Sequence, residues 1–319
     1  MGNCCQGNLE TQTESFHNDI ANLKENKEYS LSKSVKSIHS PKDQGIIALD
    51  SFPKEIMSNI KAPCINLPAF EYDSSDSNAK NNLPSLGPFQ YSNGAIYIGQ
   101  YQNGLRHGRG KQVWPDGSHY EGNWKNDMVE GKGRLVHCNG DVYEGEWLKD
   151  HADGRGKYYH PSGAVFDGQW KNDQQEGFGV ETWPDGVKYE GEYNQGNKHG
   201  RGIFKWGNGD EYRGSFKNNQ IEGEGEYYWV DGKTYKGGWS NNRMSGKGEF
   251  NWADGRKFIG SYLEDKKHGP GEFFWPDKRM LRGVWRDGEL AADAVFTDAK
   301  GRITQLDPSS VHALDSAME

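Results

Sequence analysis

A pattern of 23 residues repeats without an insertion from position 97 almost to the C-terminus. Each repeat opens with an aromatic residue, followed by a glycine two residues later and a second aromatic residue two after that. The opening residues are Tyr97, Tyr120, Tyr143, Phe166, Tyr189, Tyr212, Tyr235 and Phe258. A fixed period of this length is typical of arrays in which each repeat contacts only its neighbours. Such an array offers a binding surface more often than a catalytic pocket.

The second half of each repeat is equally regular. A Gly-x-Gly motif is followed four residues later by Trp or His, and then by a short turn, as in Trp114-Pro115-Asp116-Gly117. Asp-Gly and Asn-Gly are strong hairpin signals because both residues tolerate positive φ. His137 and His160 take the Trp position in the second and third repeats, and we interpret them as packing residues rather than metal ligands.

Strand alternation follows directly from the first half of the repeat. In the second repeat, Tyr120, Gly122 and Trp124 share one face, and Glu121 and Asn123 share the other. A period of two with one apolar face predicts an antiparallel strand that is buried on one side. The sequence therefore predicts an all-β fold, an elongated, twisted single-layer antiparallel meander of 23-residue β-hairpin repeats, with a disordered N-terminal tether.

The repeat phase also predicts the domain boundaries. These are a lipidation motif at 1–5, a largely disordered tether at 6–86, a capping half-repeat at 87–96, eight repeats at 97–280, a degenerate ninth repeat at 281–304, and a tail at 305–319. Within the tether, we interpret the apolar patch at 46–49 as coil, with a docking motif as the alternative.

Composition excludes several classes of function. The net charge of -8 argues against a non-specific nucleic-acid binder, which needs a positive field. None of the four cysteines forms a Cys-x-x-Cys pair, so neither a zinc site nor a disulfide framework is expected. No nucleophile, base and acid recur together, so we predict no catalytic residue, no cofactor and no metal. The protein is not expected to be an enzyme.

The repeat resembles the MORN (membrane occupation and recognition nexus) repeat. Tyr143-Glu144-Gly145-Glu146-Trp147 and Asn197-Lys198-His199-Gly200-Arg201-Gly202 carry the resemblance, which covers about two-thirds of the chain. The resemblance implies a scaffold that binds proteins or associates with a membrane. Some relatives carry an additional enzymatic domain, and none is recognised in this sequence.

The N-terminus, Met1-Gly2-Asn3-Cys4-Cys5, resembles the start of dually acylated proteins. Gly2 is the acceptor for myristoylation, and Cys4 and Cys5 suit palmitoylation, although Gln6 replaces the usual Ser or Thr. A second acyl chain matters because a single myristoyl chain binds membranes only marginally. We therefore expect the protein at the cytoplasmic face of a membrane, such as the plasma membrane or a cytoskeleton-associated membrane.

The aromatic stripe is the candidate binding surface. A single sheet has no second layer to cover its apolar face, so we expect an open groove that holds an extended or helical segment of a partner protein. The predicted contact residues are Tyr120, Trp124, Tyr143, Trp147, Phe166, Trp170, Tyr189 and Tyr193. The acidic residues of the opposite face, such as Glu121 and Glu144, are expected to stay solvated. Two alternatives remain: the rings are only packing residues, or the array binds phospholipid or regulates a lipid kinase.

Overall fold

The computed structural model describes residues 47–49, 54, 60, 66–72 and 83–306. The predicted acylation sites Gly2, Cys4 and Cys5 lie outside the described residues, as does the tail from 307 onward. The chain divides into two compact units. The first, here the N-terminal unit, comprises residues 28–196, and the second, here the C-terminal unit, contains residues 197–306 of the described chain.

The N-terminal unit is built entirely from short strands that pair with their neighbours in chain order. They are β1 (Ile47–Ala48), β2 (Ser85–Gln90), β3 (Ile96–Gln102), β4 (Leu105–Val113), β5 (His119–Lys125), β6 (Met128–Val136), β7 (Val142–Leu148), β8 (His151–Tyr159), β9 (Val165–Lys171), β10 (Gln174–Thr182) and β11 (Lys188–Asn194). All of these pairings are antiparallel.

The C-terminal unit follows the same plan. Its strands are β12 (Asn197–Lys205), β13 (Glu211–Lys217), β14 (Gln220–Tyr228), β15 (Thr234–Ser240), β16 (Arg243–Asn251), β17 (Lys257–Leu263), β18 (Lys266–Phe274), β19 (Met280–Arg286), β20 (Glu289–Thr297) and β21 (Ile303–Gln305). These strands also pair antiparallel in chain order.

The predicted all-β meander of hairpin repeats is confirmed in both units. Residues 85–305 contain no helix. Within the described part of the chain, no helix is long and apolar enough to cross a membrane.

Each repeat is a hairpin closed by a tight two-residue turn. In the second repeat, Asn126 and Asp127 both have positive φ, 52° and 68°, which is the conformation of a type I′ turn. On the strand that follows, Gly131 at φ 96° forms a β-bulge, because Gly122 pairs with Gly133 whereas Trp124 pairs with Val129. The predicted Asp-Gly and Asn-Gly turns instead connect one hairpin to the next.

Part of the predicted tether lies on the array. Ile47 and Ala48 pair with Gln90 and Phe89 of β2, and the Leu49 amide donates to the Pro88 carbonyl at 2.9 Å. The structure has a short strand paired with the array where we expected coil, and the docking motif stays a prediction. A strand addition satisfies backbone groups at a sheet edge that otherwise need water.

Candidate functional site

The rings of the first strands form a continuous zigzag along each unit. The Tyr120 ring lies 5.3 Å from the Trp124 ring in its own repeat and 5.5 Å from the Trp147 ring in the next repeat. Both pairs are edge-to-face, with interplanar angles of 90° and 88°. This geometry matches the positive edge of one ring to the negative face of the other. The pattern continues from Tyr97 to Tyr193 and again from Tyr212 to Trp285.

Backbone contacts hold each ring in place. The Tyr120 hydroxyl donates to the Asn123 carbonyl at 3.1 Å, and the Trp147 indole N–H donates to the Gly133 carbonyl at 3.1 Å. Both glycines under the ring are required, because a Cβ on Gly122 or Gly133 would lie 2.3 Å or 2.0 Å from the Tyr120 Oη. The ring therefore lies directly on the backbone of two paired strands.

The structure buries all eight predicted contact residues. Their side chains are at most 4% exposed. They are Tyr120, Trp124, Tyr143, Trp147, Phe166, Trp170, Tyr189 and Tyr193. The expectation that these rings line an open groove is wrong, because each ring covers the next and glycine lets it sit against the backbone. Burial also raises the pKa of the Tyr143 and Tyr189 phenols.

A second set of rings lies on the same face of the C-terminal unit, carried by the second strands and the turns. The members are Phe204, Trp206, Tyr227, Trp229, Phe250, Trp252, Phe273, Trp275 and Phe296, which contact one another at 4.4–6.2 Å between ring centroids. Phe250 and Trp252 are only half-buried. Trp229 and Phe296 are half-buried as well, and the half-exposed aromatic surface at Phe250 and Trp252 is one part of the stripe that solvent reaches in this unit.

The second set is sparser in the N-terminal unit, where Trp114 and Trp183 keep the ring of the turn position and two histidines replace it. At the positions that correspond to Phe204 and Trp206, one repeat has Leu135 and His137, and the next has Tyr158 and His160. Tyr158 still packs at 6.1 Å from the Trp170 ring, whereas the His160 Nδ1 is 2.7 Å from the Ser162 hydroxyl. The side chains of both histidines thus contact residues of their own turns, and the interpretation of them as packing residues stays a prediction.

One group of metal-ligating side chains is present among the described residues. Ligand atoms of Asp116, His137 and Cys138 lie within 4.8 Å of one another. The Cys138 Sγ is 3.7 Å from Nδ1 and 3.9 Å from Nε2 of His137, so it is aligned with the lone pair of neither nitrogen. Convergence on one ion needs each lone pair to point at a shared centre, and the absence of a metal site stays a prediction.

A recurring carboxylate or amide side chain clamps most repeats to the next, although Gly196 and Gly288 take this position in two of them. The Asp150 Oδ1 accepts the Val129 amide at 2.7 Å, while the Asp150 amide donates to the Val129 carbonyl at 3.0 Å. The same position carries Asp127, Asp150, Asp173, Asn219, Asn242 and Asp265. Sequence reasoning missed this role, although an Asp or Asn at fixed phase was visible.

The face opposite the rings, here the reverse face, carries columns of ion pairs. In the N-terminal unit, Arg134 pairs with Glu144 at 2.7 Å and Lys111 with Glu121 at 3.4 Å. Glu121 and Glu144 are therefore paired rather than fully solvated, which corrects the expectation. At the positions of the C-terminal unit that correspond to Arg134 and Glu144 the polarity is inverted, since Glu226 on the second strand pairs with a lysine of the following first strand at 2.8 Å. Exposed pairs of this kind contribute about 0–1 kcal/mol each.

Comparisons with solved structures find distant similarities at low sequence identity. The chain is similar to the TCP10 domain of Danio rerio CPAP in complex with a peptide of Danio rerio STIL, at 15% identity and a TM-score of 0.40, covering 64% of this chain and 92% of that one. It is also similar to the TCP domain of Drosophila melanogaster SAS-4 in complex with a proline rich motif of Ana2, at 18% identity and a TM-score of 0.31, covering 49% and 85%. No curated protein matches the chain.

A family comparison accounts for the repeats themselves. The MORN repeat model matches residues 97–119, 120–142, 143–165, 166–188, 189–211, 212–234, 235–255 and 258–278. These matches reproduce the period and phase of the hairpins and of the ring zigzag. They cover more than half of the sequence, and the chain therefore belongs to the MORN-repeat family.

Proposed function

We propose that this protein is a non-enzymatic, membrane-anchored scaffold that holds a segment of a partner protein against its MORN array. The observation that supports this most directly is the half-exposed aromatic surface at Phe250 and Trp252. Large aromatic rings are the usual anchors of protein interfaces, and a row of them on a sheet suits an extended or helical segment.

The proposed contact surface differs from the one that the sequence suggested. The first-strand rings are packed against one another and against the backbone, so they offer almost no surface to a partner. Trp252 stacks between Phe250 at 4.6 Å and Phe273 at 5.4 Å and keeps part of its surface in solvent. Binding would cover that remaining surface, which is the favourable step in association.

We propose that acyl chains on Gly2, Cys4 and Cys5 supply the membrane attachment. A myristoyl chain alone holds a protein only reversibly, whereas two or three chains together anchor it stably. The net charge of -8 disfavours direct binding to anionic lipid by the array. The array would then present partners at the cytoplasmic face of the membrane.

Membrane fractionation tests the anchor. We expect Gly2→Ala to move the full-length protein from the pellet to the supernatant, and Cys4→Ser/Cys5→Ser to weaken pelleting while myristoylation persists, as read by mass spectrometry. Unchanged pelleting of both variants would contradict the anchor. Co-sedimentation of the Gly2→Ala protein with anionic vesicles would favour the alternative, direct binding of phospholipid.

Affinity capture tests the contact surface. We expect Trp252→Ala to remove the partners that the wild-type chain captures, and Phe178→Ala to retain them. Phe178 is a suitable control because it is an aromatic residue that is 53% exposed on the reverse face. Both variants must melt close to wild type, and equal capture by a folded Trp252→Ala protein would contradict this surface.

A further inference from the structure

A segment of the tether lies on the reverse face of the array. Residues 66–72, Asn66-Leu67-Pro68-Ala69-Phe70-Glu71-Tyr72, contact strands β4 and β6. Phe70 and Tyr72 are half-buried, whereas Ala69 and Glu71 between them are exposed. This alternation is what an extended segment shows when one of its sides faces a surface.

Two arginines of the array hold this segment. The Arg134 Nη1 donates to the Pro68 carbonyl at 2.7 Å, and the Arg134 guanidinium carbon lies 5.7 Å from the Phe70 ring centroid. The Arg109 guanidinium carbon lies 4.7 Å from the Tyr72 ring centroid. The rings of Phe70 and Tyr72 also meet edge-to-face at 5.1 Å. The array therefore contacts the segment through one backbone carbonyl and two aromatic rings.

Contacts within the array also orient the two arginines. Arg134 donates from Nε to the Glu144 carboxylate at 2.8 Å, and its side chain is only 11% exposed. The Arg109 amide donates to the Gln100 Oε1 at 2.8 Å, which fixes the backbone beside the bulge. Burial raises the pKa of the Tyr72 phenol, so the ring stays neutral over the guanidinium.

The identity of the two cations explains why the segment lies here. Arg109 and Arg134 lie on the reverse face of adjacent hairpins, at two different positions of the repeat, and the same two positions one repeat later carry Lys132 and Lys157. A guanidinium is planar, so it can stack on a ring and donate in its plane at the same time, whereas an ammonium cannot. The paired arginines thus distinguish this seat from its neighbour.

We propose that the Arg109–Arg134 seat is a peptide-binding surface, that residues 66–72 are its ligand within the chain, and that this latch pins the tether to the array. The ligand is an extended segment with an accessible backbone carbonyl. Aromatic side chains follow two and four residues after that carbonyl. This surface is on the reverse face and is independent of the half-exposed aromatic surface at Phe250 and Trp252.

A tethered ligand has a large competitive advantage. Its effective concentration is on the order of 1 mM, so an intrinsic Kd of roughly 0.1 mM would keep the seat about 90% occupied. A free peptide of the same sequence would then bind the wild-type chain about tenfold more weakly than it binds a chain whose latch is released.

Fluorescence anisotropy with a labelled peptide of residues 64–74 tests the proposal on the full-length protein. We expect Phe70→Ala/Tyr72→Ala, which releases the latch and leaves the seat intact, to bind the peptide about tenfold more tightly than wild type. Adding Arg134→Lys to that variant should remove the peptide binding. The lysine ammonium keeps the charge, but it lacks the planar guanidinium that stacks on the ring and donates to the carbonyl. Adding Lys157→Ala instead should leave it unchanged.

Hydrogen exchange supplies an independent readout. The amides of residues 66–72 should exchange more slowly in wild type than in Arg134→Lys, while those of β6 and β7 stay protected in both. Equal peptide affinity for wild type and the released variant, no binding to the released variant, or persistent binding with Arg134→Lys would each overturn the proposal. Trp252→Ala should leave peptide binding unchanged, which separates this test from that of partner capture.

Discussion

Glycine and tyrosine act as one unit at the scale of single residues. The Tyr120 ring rests on Gly122 and Gly133 of two paired strands, and its hydroxyl reaches the Asn123 carbonyl. Phe166 rests in the same way on Gly168 and Gly179 without the hydroxyl contact. Close approach of the ring to the backbone, rather than the hydrogen bond, is therefore the feature that all repeats share.

This coupling predicts a large cost for adding one methyl group. We expect Gly133→Ala to lower the free energy of unfolding by about 3 kcal/mol, because the new Cβ would displace a fully buried ring. Gly186→Ala is the control, since its Cβ meets nothing within 4 Å and only the positive φ of 88° is strained. That change should cost about 1 kcal/mol. Urea denaturation measures both, and equal midpoints would contradict the ring-on-glycine arrangement.

His119 makes stability depend on pH. Burial, with Lys111 nearby, lowers the pKa of its imidazole from 6.5 to about 4. Between pH 6.5 and about pH 4, the imidazole is therefore protonated in the unfolded chain but neutral in the folded chain. Because the unfolded state binds more protons, the stability of the fold falls as the pH drops through this window. The expected loss is about 3 kcal/mol.

The measurement is the difference between wild type and His119→Gln. Urea midpoints at pH 7.0 and pH 4.5 should separate more for wild type, because other groups titrate equally in both proteins. Parallel shifts in the two proteins would show that the imidazole is protonated normally in the folded state.

Two kinds of turn define the repeat at the scale of the hairpin. The Asp-Gly and Asn-Gly turns were predictable because the chemistry of those dipeptides is specific to positive φ. The type I′ turns were not recognised, because Lys149-Asp150 and Glu264-Asp265 carry no glycine. Their second residue is stabilised from outside the turn, through the clamp to the preceding repeat. A contact between residues 21 apart is invisible to local propensity.

The clamp predicts how the turn tolerates substitution. We expect Asp150→Ala to lower the free energy of unfolding by about 1–3 kcal/mol, because the Val129 amide loses its buried acceptor. Asp150→Asn should cost far less, since asparagine keeps Oδ1 and tolerates positive φ, as Asn219 and Asn242 do at the same position. Thermal melts measure the stability of both variants. Equal losses of stability would show that the carboxylate charge matters more than the hydrogen-bond acceptor.

At the scale of the whole molecule, the fold was predictable and the accessible surface was not. The 23-residue period, strand alternation and turn dipeptides together specify a meander. The same pattern suggested open rings, because a single sheet lacks a covering layer. In the structure, Trp147 bridges Tyr120 and Tyr143 edge-on, so the stripe covers itself. The period shows which side chains share a face, but it does not show that they cover one another.

Nearest-neighbour architecture leads to a prediction about removing one whole repeat. Deleting residues 143–165 should leave a folded β-sheet, because every contact of the lost repeat has a substitute in the next one. Tyr120 would meet Trp170 in place of Trp147, and Arg134 would meet Asp167 in place of Glu144. Asp173 would replace Asp150 as the acceptor for the Val129 amide.

A deletion of half a repeat is the matched control. Removing residues 143–154 deletes most of β7 and the first part of β8, so one strand remains where two stood. β9 would then enter the sheet in the wrong direction, and its rings would lie at the wrong end. Circular dichroism and the emission of buried tryptophans should report a native-like sheet for the whole-repeat deletion and a collapsed or aggregated chain for the half-repeat deletion. If both deletions unfold the N-terminal unit alike, its stability depends on particular repeats rather than on the sum of equivalent neighbours.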